Sequence, residues 1–133
     1  MNFGFTKLVV HDLDRMVAFY SEAFGLVEDY RVASRIGDRP IDEVTFEVTS
    51  PGAGVLVLLR YADSDGPVTG EVIVGFQVPD MDAAVARAVA AGAVVHREPQ
   101  LMRRYAVTTA FLTDPEGHLI ELVEQHGDLD TAV

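Results

Sequence analysis

Cysteine and tryptophan are both absent from this chain of 133 residues. Without cysteine, disulfide bonds, thiolate metal ligands and a cysteine nucleophile are all excluded. Lysine and arginine are scarce, 10 against 21 aspartates and glutamates, which gives a formal net charge of -11 at pH 7. Because phosphate backbones repel such a surface, we expect no nucleic-acid partner. The same charge favours solubility and would attract a positively charged ligand.

Long apolar runs are also missing. No stretch approaches the roughly 18 residues that a membrane-spanning helix needs. The start, Met1 to Phe5, lacks the charged and apolar regions of a signal peptide. We therefore expect a cytoplasmic protein with no membrane partner. The chain does contain 49% hydrophobic residues, which suits one compact domain with a full core.

An internal repeat divides the chain. Val10–Ala18 aligns with Val78–Ala86 at a constant offset of 68 (78 minus 10), and the valines, both aspartates and an alanine recur. Each copy follows an alternating apolar segment and leads into an amphipathic helix. The sequence therefore predicts a single domain, 1-133, with module 1 at about 3-61, a polar linker at 62-70, module 2 at about 71-124 and a loosely held tail at 125-133.

Each module is predicted to contain one helix and four strands. Asp12 and Asp80 can cap the helices by accepting amide hydrogen bonds, and Gly25 and Gly92 can end them in a left-handed conformation. Turn compositions separate the extended segments. The predicted strands are Phe5–Val10, Leu26–Arg35, Glu43–Thr49 and Val55–Tyr61 in module 1, and Glu71–Val78, Val94–Arg97, Tyr105–Thr113 and His118–Glu124 in module 2.

Alternation within the strands predicts one apolar and one mixed face for each sheet. The apolar faces are where the helices should bury their apolar stripes. The opposite faces carry Lys7, Glu47 and Glu121 among apolar side chains. Those faces either line a ligand cavity or lie on a solvated sheet surface.

Two motifs resemble the vicinal-oxygen-chelate superfamily, which contains glyoxalases, bleomycin-resistance proteins and extradiol dioxygenases. The segment V-x-D-L-D-x-x-x-x-F-Y from Val10 to Tyr20, with Phe24-Gly25-Leu26 after it, is similar to their first strand-to-helix junction. The segment D-P-x-G-x-x-x-E from Asp114 to Glu121 is similar to their final hairpin. The resemblance implies an α+β fold in which two βαβββ modules form a cupped, partly closed mixed sheet with helices on its outer face. It also implies a homodimer.

Members of this family usually hold one divalent metal with His or Glu side chains from the first and last strands of each module. The resemblance places Phe5, Val57, Ile73 and Glu121 at these positions, the second of them to within one residue. Three of the four are hydrocarbon side chains without lone pairs, so only Glu121 can serve as a ligand. We therefore expect no metal or other cofactor. The scattered histidines are predicted to lie at the surface or in turns: His11, His96, His118 and His126.

Three functions remain open on the sequence. A binding protein of the bleomycin-resistance kind would hold a drug or metabolite in a metal-free pocket. A metal-independent isomerase, cyclase or lyase would use Glu121 as general acid or base on a carbonyl compound, with Lys7 stabilising negative charge, although Glu121 is as well suited to pair with Lys7 or with buried amides. A divalent-metal glyoxalase-like lyase or dioxygenase requires a shifted strand register. The predicted pocket residues are Phe5, Lys7, Thr45, Glu47, Val57, Leu59, Ile73, Arg104 and Glu121.

Overall fold

The computed structural model describes residues 1–127 and divides the chain into two compact units. Unit 1 comprises Met1–Thr69 and unit 2 begins at Gly70, so the boundary falls within the predicted linker. Within the described part of the chain, no helix combines the length and the apolar character needed to cross a bilayer.

Both units have the element order β-α-β-β-β. Unit 1 contains β1 (Phe5–Val9), α1 (Leu13–Phe24), β2 (Glu28–Ile36), β3 (Arg39–Phe46) and β4 (Val55–Tyr61). Unit 2 contains β5 (Ile73–Gln77), α2 (Met81–Ala91), β6 (Val94–Met102), β7 (Val107–Thr113) and β8 (Leu119–Gln125).

Each unit has a four-stranded mixed sheet of the same topology. The strand orders are β1-β4-β3-β2 and β5-β8-β7-β6. The first strand of each unit runs parallel to the last, and the other neighbours are antiparallel. The predicted α+β fold of two βαβββ modules is therefore confirmed.

The helices begin and end where the sequence predicts. Asp12 and Asp80 each accept a hydrogen bond of 3.2 Å from a backbone amide three residues later. Gly25 follows α1 with φ at 71°, and Gly92 follows α2 with φ at 122°. Glycine adopts such positive angles without the steric strain that a Cβ would cause, so it ends a helix readily.

In unit 1 the core lies between α1 and one face of the sheet. Met16 and Tyr20 of α1 and Val44 and Leu58 of the sheet are all 0% exposed. The second helix is buried less completely, because Met81 and Ala88 are its only buried residues in the described structure while Val89 is 45% exposed. The apolar stripe predicted for α2 is thus only partly covered.

The predicted bounds of β4 are correct, and those of the other strands are wrong by one or more residues, of which three cases follow. β3 begins at Arg39 instead of Glu43 and ends at Phe46, so Glu47 lies just beyond it. β6 continues through Pro99 to Met102, because β6 is an edge strand and its pairing register with β7 shifts between Arg97 and Gln100, where a proline is tolerated. The third error is at the start of β7, where Tyr105 belongs to a 3-10 turn instead of the strand.

The predicted loose tail, 125-133, is wrong at its beginning. Gln125 is the last residue of β8. The amide of His126 donates to the carbonyl of Ala106 at 2.9 Å, and its ring lies 2.6 Å from the hydroxyl of Thr108. Residues 128–133 of that prediction lie outside the described residues.

Candidate ligand site on the first sheet

Strand pairing places several predicted site residues of unit 1 in one row. Lys7 pairs with Val57, Val57 with Thr45, and Thr45 with Tyr30. Directly paired residues point to the same face of a sheet. These four side chains therefore cross the sheet side by side, one from each strand.

Unit 2 has an equivalent row, made of Gly75, Glu121, Phe111 and Arg97. Glu121 pairs with Gly75, the third residue of β5, just as Val57 in unit 1 pairs with the third residue of β1. The backbone register therefore makes Val57 the counterpart of Glu121. The sequence had placed Val57 at this position only to within one residue.

An open cavity of about 660 Å³ lies on the row of unit 1. Its volume falls within the roughly 300–1,000 Å³ that is usual for small-molecule sites. Five of the predicted pocket residues line this cavity: Phe5, Lys7, Thr45, Glu47 and Val57. The structure therefore brings together residues that the sequence placed on three separate segments.

An ion pair crosses the sheet beside this row. Nζ of Lys7 lies 2.8 Å from Oε2 of Glu43. Because β4 lies between the strands that carry these two residues, the pair passes over β4. Val57 and Leu59, on that face of β4, are only 4% and 2% exposed.

Leu59 therefore belongs to the buried interior and does not line the cavity, although the sequence placed it in the pocket. Glu43 does line it and was missed. A signal was present, since Glu43 alternates with Thr45 and Glu47 along the chain.

Negative charge exceeds positive charge in this cavity. Asp29, Glu43 and Glu47 line it together with the single cation Lys7. Lys7 pairs with Glu43, so its charge is already balanced. The side-chain carboxylates of Asp29 and Glu47 form no hydrogen bond or ion pair with any residue in the range 1–127. The wall also includes two exposed aromatic side chains, Phe5 and Tyr30.

A second cavity of about 520 Å³ lies in unit 1 near the start of α1. Its charged groups are largely paired with one another. Arg31 donates hydrogen bonds to Glu28 and Asp14, and these bonds hold the pKa of Arg31 above its ordinary value. Arg60 donates to the carbonyl of His11 at 3.0 Å. The first cavity, with its two unpaired carboxylates, is the better candidate for a ligand.

The predicted residues of unit 2 do not form one cluster. Ile73 begins β5 and is 53% exposed. Arg104 lies in the 3-10 turn that follows β6 and is not part of the row that contains Glu121. Phe111 and Arg97 continue that row instead, and no motif in the sequence indicated them.

The fold and these motifs can be compared with known proteins. A family model described as the Glyoxalase/Bleomycin resistance protein/Dioxygenase superfamily matches residues 2–122. The chain belongs to this superfamily. The match extends across both units, so the resemblance read from two short motifs holds for nearly the whole chain.

Relatives within the superfamily are distant. The chain is 28% identical over 122 residues to a "probable lactoylglutathione lyase" of Vibrio cholerae, covering 90% of this chain and 87% of the relative. A glyoxalase family protein from Bacillus cereus has a TM-score of 0.79 at 24% identity, with 96% and 95% of the two chains covered. The trypanothione-dependent glyoxalase I of Leishmania major has a TM-score of 0.75 at 22% identity, with 99% and 92% covered. These two structures show the fold.

The four residues that the resemblance assigns to metal positions supply too few donor atoms for a divalent ion. Phe5 and Val57 in unit 1, and Ile73 in unit 2, present only phenyl or alkyl groups. Glu121 alone carries lone pairs that can coordinate a cation. Across residues 1–127 there is no group of three or more histidine, aspartate or glutamate side chains arranged to hold a metal.

The histidine of the final hairpin has a structural role. His118 is 5% exposed, and its Nδ1 lies 2.8 Å from Oδ2 of Asp114. Asp114 also accepts hydrogen bonds from the amides of Glu116 and His118. The prediction that His118 belongs to the turn is correct, but the side chain is buried and not at the surface.

Proposed function

We propose that the protein binds a small organic molecule in the cavity of unit 1 and does so without a metal ion. The observation that carries this proposal is the convergence of Phe5, Lys7, Thr45, Glu47 and Val57 on one cavity. Apolar walls with a few polar groups are what small-molecule sites commonly provide. The hydrocarbon residues at two metal positions, Phe5 and Val57, become part of that wall.

The charges of the cavity favour a neutral or positively charged ligand. The carboxylates of Asp29 and Glu47 have no cationic partner among the described residues. A cation placed near them gains electrostatic energy, and the aromatic walls can add a cation–π contribution. An anionic ligand meets repulsion from the same carboxylates.

The test is a fluorescence titration with ethidium, a cationic aromatic dye, and with anilinonaphthalene sulfonate, an anionic one. We expect ethidium to bind more tightly. Replacement of Phe5 by alanine should weaken ethidium binding roughly three- to tenfold, because an aromatic contact to the cation is lost. Phe5 is 58% exposed, so its truncation should leave the fold intact.

Phe3→Ala is the matched control, since Phe3 is 89% exposed and is not part of the cavity wall. Equal affinities of the two variants, or tighter binding of the anionic dye, would contradict the proposal.

Native mass spectrometry of protein purified without a chelator tests the absence of metal and the homodimer together. We expect a dimer free of divalent metal, either alone or with an organic molecule bound. A stoichiometric divalent metal would contradict the metal-free site and would favour a metal-dependent lyase or dioxygenase.

A metal-independent isomerase, cyclase or lyase is the second candidate function. The name of the Vibrio cholerae relative supports a lyase, and the carboxylate of the half-buried residue Glu121 can act as a general acid or base. Under this alternative the metal-free protein would form lactoylglutathione or convert another carbonyl compound. Glu121→Gln would then abolish turnover while ligand binding in unit 1 persists.

A further inference from the structure

We infer that unit 2 contains a binding position for an organic ammonium group, formed by the Glu121 carboxylate and the open space above Gly75. Both residues lie in the row that crosses the sheet of unit 2. The inference uses residues of unit 2 only, so it can fail while the proposed function of the unit 1 cavity holds, and the reverse.

Glu121 is a half-buried residue at the centre of β8. No hydrogen bond or ion pair joins its carboxylate to any residue that the structure describes. A cation that binds this carboxylate supplies a charge-assisted partner that the described residues do not provide. The carboxylate is therefore a natural acceptor for a positively charged group.

Gly75 leaves the space beside this carboxylate open. A Cβ built at Gly75 would meet nothing nearer than the backbone oxygen of Glu121 at 4.0 Å. The φ of Gly75 is not in the left-handed range, so the backbone here does not require glycine. Glycine at this position therefore leaves open space on the sheet, although the backbone conformation of the strand does not require a glycine.

In unit 1 a lysine side chain occupies the position that is equivalent to the open space above Gly75. Lys7 is the counterpart of Gly75, because each is the third residue of its first strand and pairs with the equivalent residue of the last strand. The Lys7 ammonium reaches over the last strand to a carboxylate at 2.8 Å. In unit 2 the last strand itself carries the carboxylate, and the lysine is missing. An ammonium group from a ligand can take the position of the missing lysine.

The other flank of Glu121 is closed to a cation. Phe111 lies there, and the guanidinium of Arg97 lies 5.0 Å from the centroid of its ring. Arg97 is held by the hydroxyl of Thr109 and the side chain of Gln100, each at 2.6 Å. Its positive charge repels a second cation on that side. Gly75 is about three strand spacings, or roughly 14 Å, from Arg97, so the ammonium approaches over Gly75.

The chemical class of ligand follows from these groups. A primary ammonium is compact and carries three N–H donors, which a single carboxylate and its surroundings can accept. A divalent metal ion would need several more oxygen or nitrogen ligands than Glu121 supplies. We therefore assign this position to a ligand that carries a primary amine.

The test is an NMR titration of the full chain with n-butylammonium chloride, and with n-butanol as the uncharged probe of the same shape. We expect the ammonium, and not the alcohol, to shift the backbone amides of Gly75 and Glu121. Glu121→Gln removes the negative charge at constant size, and Gly75→Lys supplies an ammonium from the protein itself. Each should weaken butylammonium binding roughly three- to tenfold.

Glu71→Gln is the matched control, because Glu71 is exposed just before β5 and is not in the row. Its affinity should equal that of the wild type. Gly75→Ala is the conservative second variant, since its Cβ has room, and it should weaken binding less than Gly75→Lys does.

Two outcomes would overturn the inference: wild-type affinity in both Glu121→Gln and folded Gly75→Lys, or equal shifts with butanol. Ethidium binding by Gly75→Lys separates the two proposals. If Gly75→Lys binds ethidium like the wild type but binds butylammonium more weakly, both proposals stand. If even the wild type does not bind ethidium, the proposed function of the unit 1 cavity fails and the inference about unit 2 is unaffected.

Discussion

Asp114 organises the turn before the last strand through several short contacts. Its carboxylate accepts hydrogen bonds from the amides of Glu116 and His118 at 2.9 Å and 3.0 Å, and Nδ1 of His118 lies within 2.8 Å of it. The residue is 3% exposed. Removal of the carboxylate leaves buried donors without an acceptor, which costs more than the loss of an exposed hydrogen bond.

We therefore expect Asp114→Ala to lower the free energy of unfolding by about 2–4 kcal/mol. Urea denaturation followed by circular dichroism measures this change. Asp65→Ala is the control, because Asp65 is exposed and should change stability by less than about 0.5 kcal/mol. A similar small change in both variants would show that the turn does not depend on the carboxylate.

For single residues, the sequence predicted the sheet face on which a side chain lies better than it predicted the residue with which that side chain pairs. Alternation along single strands placed Phe5, Lys7 and Thr45 on one face, and the structure brings them to one cavity. The pairing of Lys7 with Glu43 depends on which strands are neighbours, and no local pattern specifies that. Arg97 was missed for the same reason.

The helices are fixed by residues at their own ends, so their bounds could be predicted. Gly25 ends α1 with φ at 71°, and its amide donates to the carbonyl of Ser21 at 2.9 Å. Strand bounds depend instead on partners far away in the chain. This difference explains why β3 and β6 extend beyond the segments that turn composition and Pro99 indicated.

Gly25→Ala should lower the free energy of unfolding by about 1 kcal/mol, because alanine is strained at a positive φ. Thermal unfolding monitored by circular dichroism gives the comparison. Gly54→Ala is the matched control, since its φ is not positive and its added Cβ would meet no atom within 4 Å. Stability unchanged in Gly25→Ala would mean that the end of the helix relaxes without cost.

For the whole molecule, the net charge of -11 should act on any charged ligand before contact. We expect ethidium affinity to fall several-fold between about 0.01 M and about 0.1 M salt, over which the Debye length shrinks from about 30 Å to about 10 Å. The uncharged dye Nile red is the control and should show little dependence. Ethidium binding that is insensitive to salt would show that carboxylates contribute nothing to it.

The fold of the whole chain could be predicted because its duplication is visible in the sequence. The repeat at Val10 and Val78, together with the hairpin that starts at Asp114, indicated two βαβββ modules, and both units have that topology. The homodimer and the absence of metal stay predictions. They depend on a partner chain and on ion binding, for which the sequence offers only the resemblance.

The parallel pairing of first and last strands also means that, during synthesis, paired strands are made several seconds apart. Phe5 is paired with Val55, fifty positions later in the chain, and Ile73 with Leu119. At about 5–20 residues per second, β1 leaves the ribosome roughly 3–10 s before its neighbour β4 exists. The β2–β3 hairpin, closed by the short turn at Gly37, has all its residues available sooner. In both units the strand that is made first is therefore the one that waits longest for its partner.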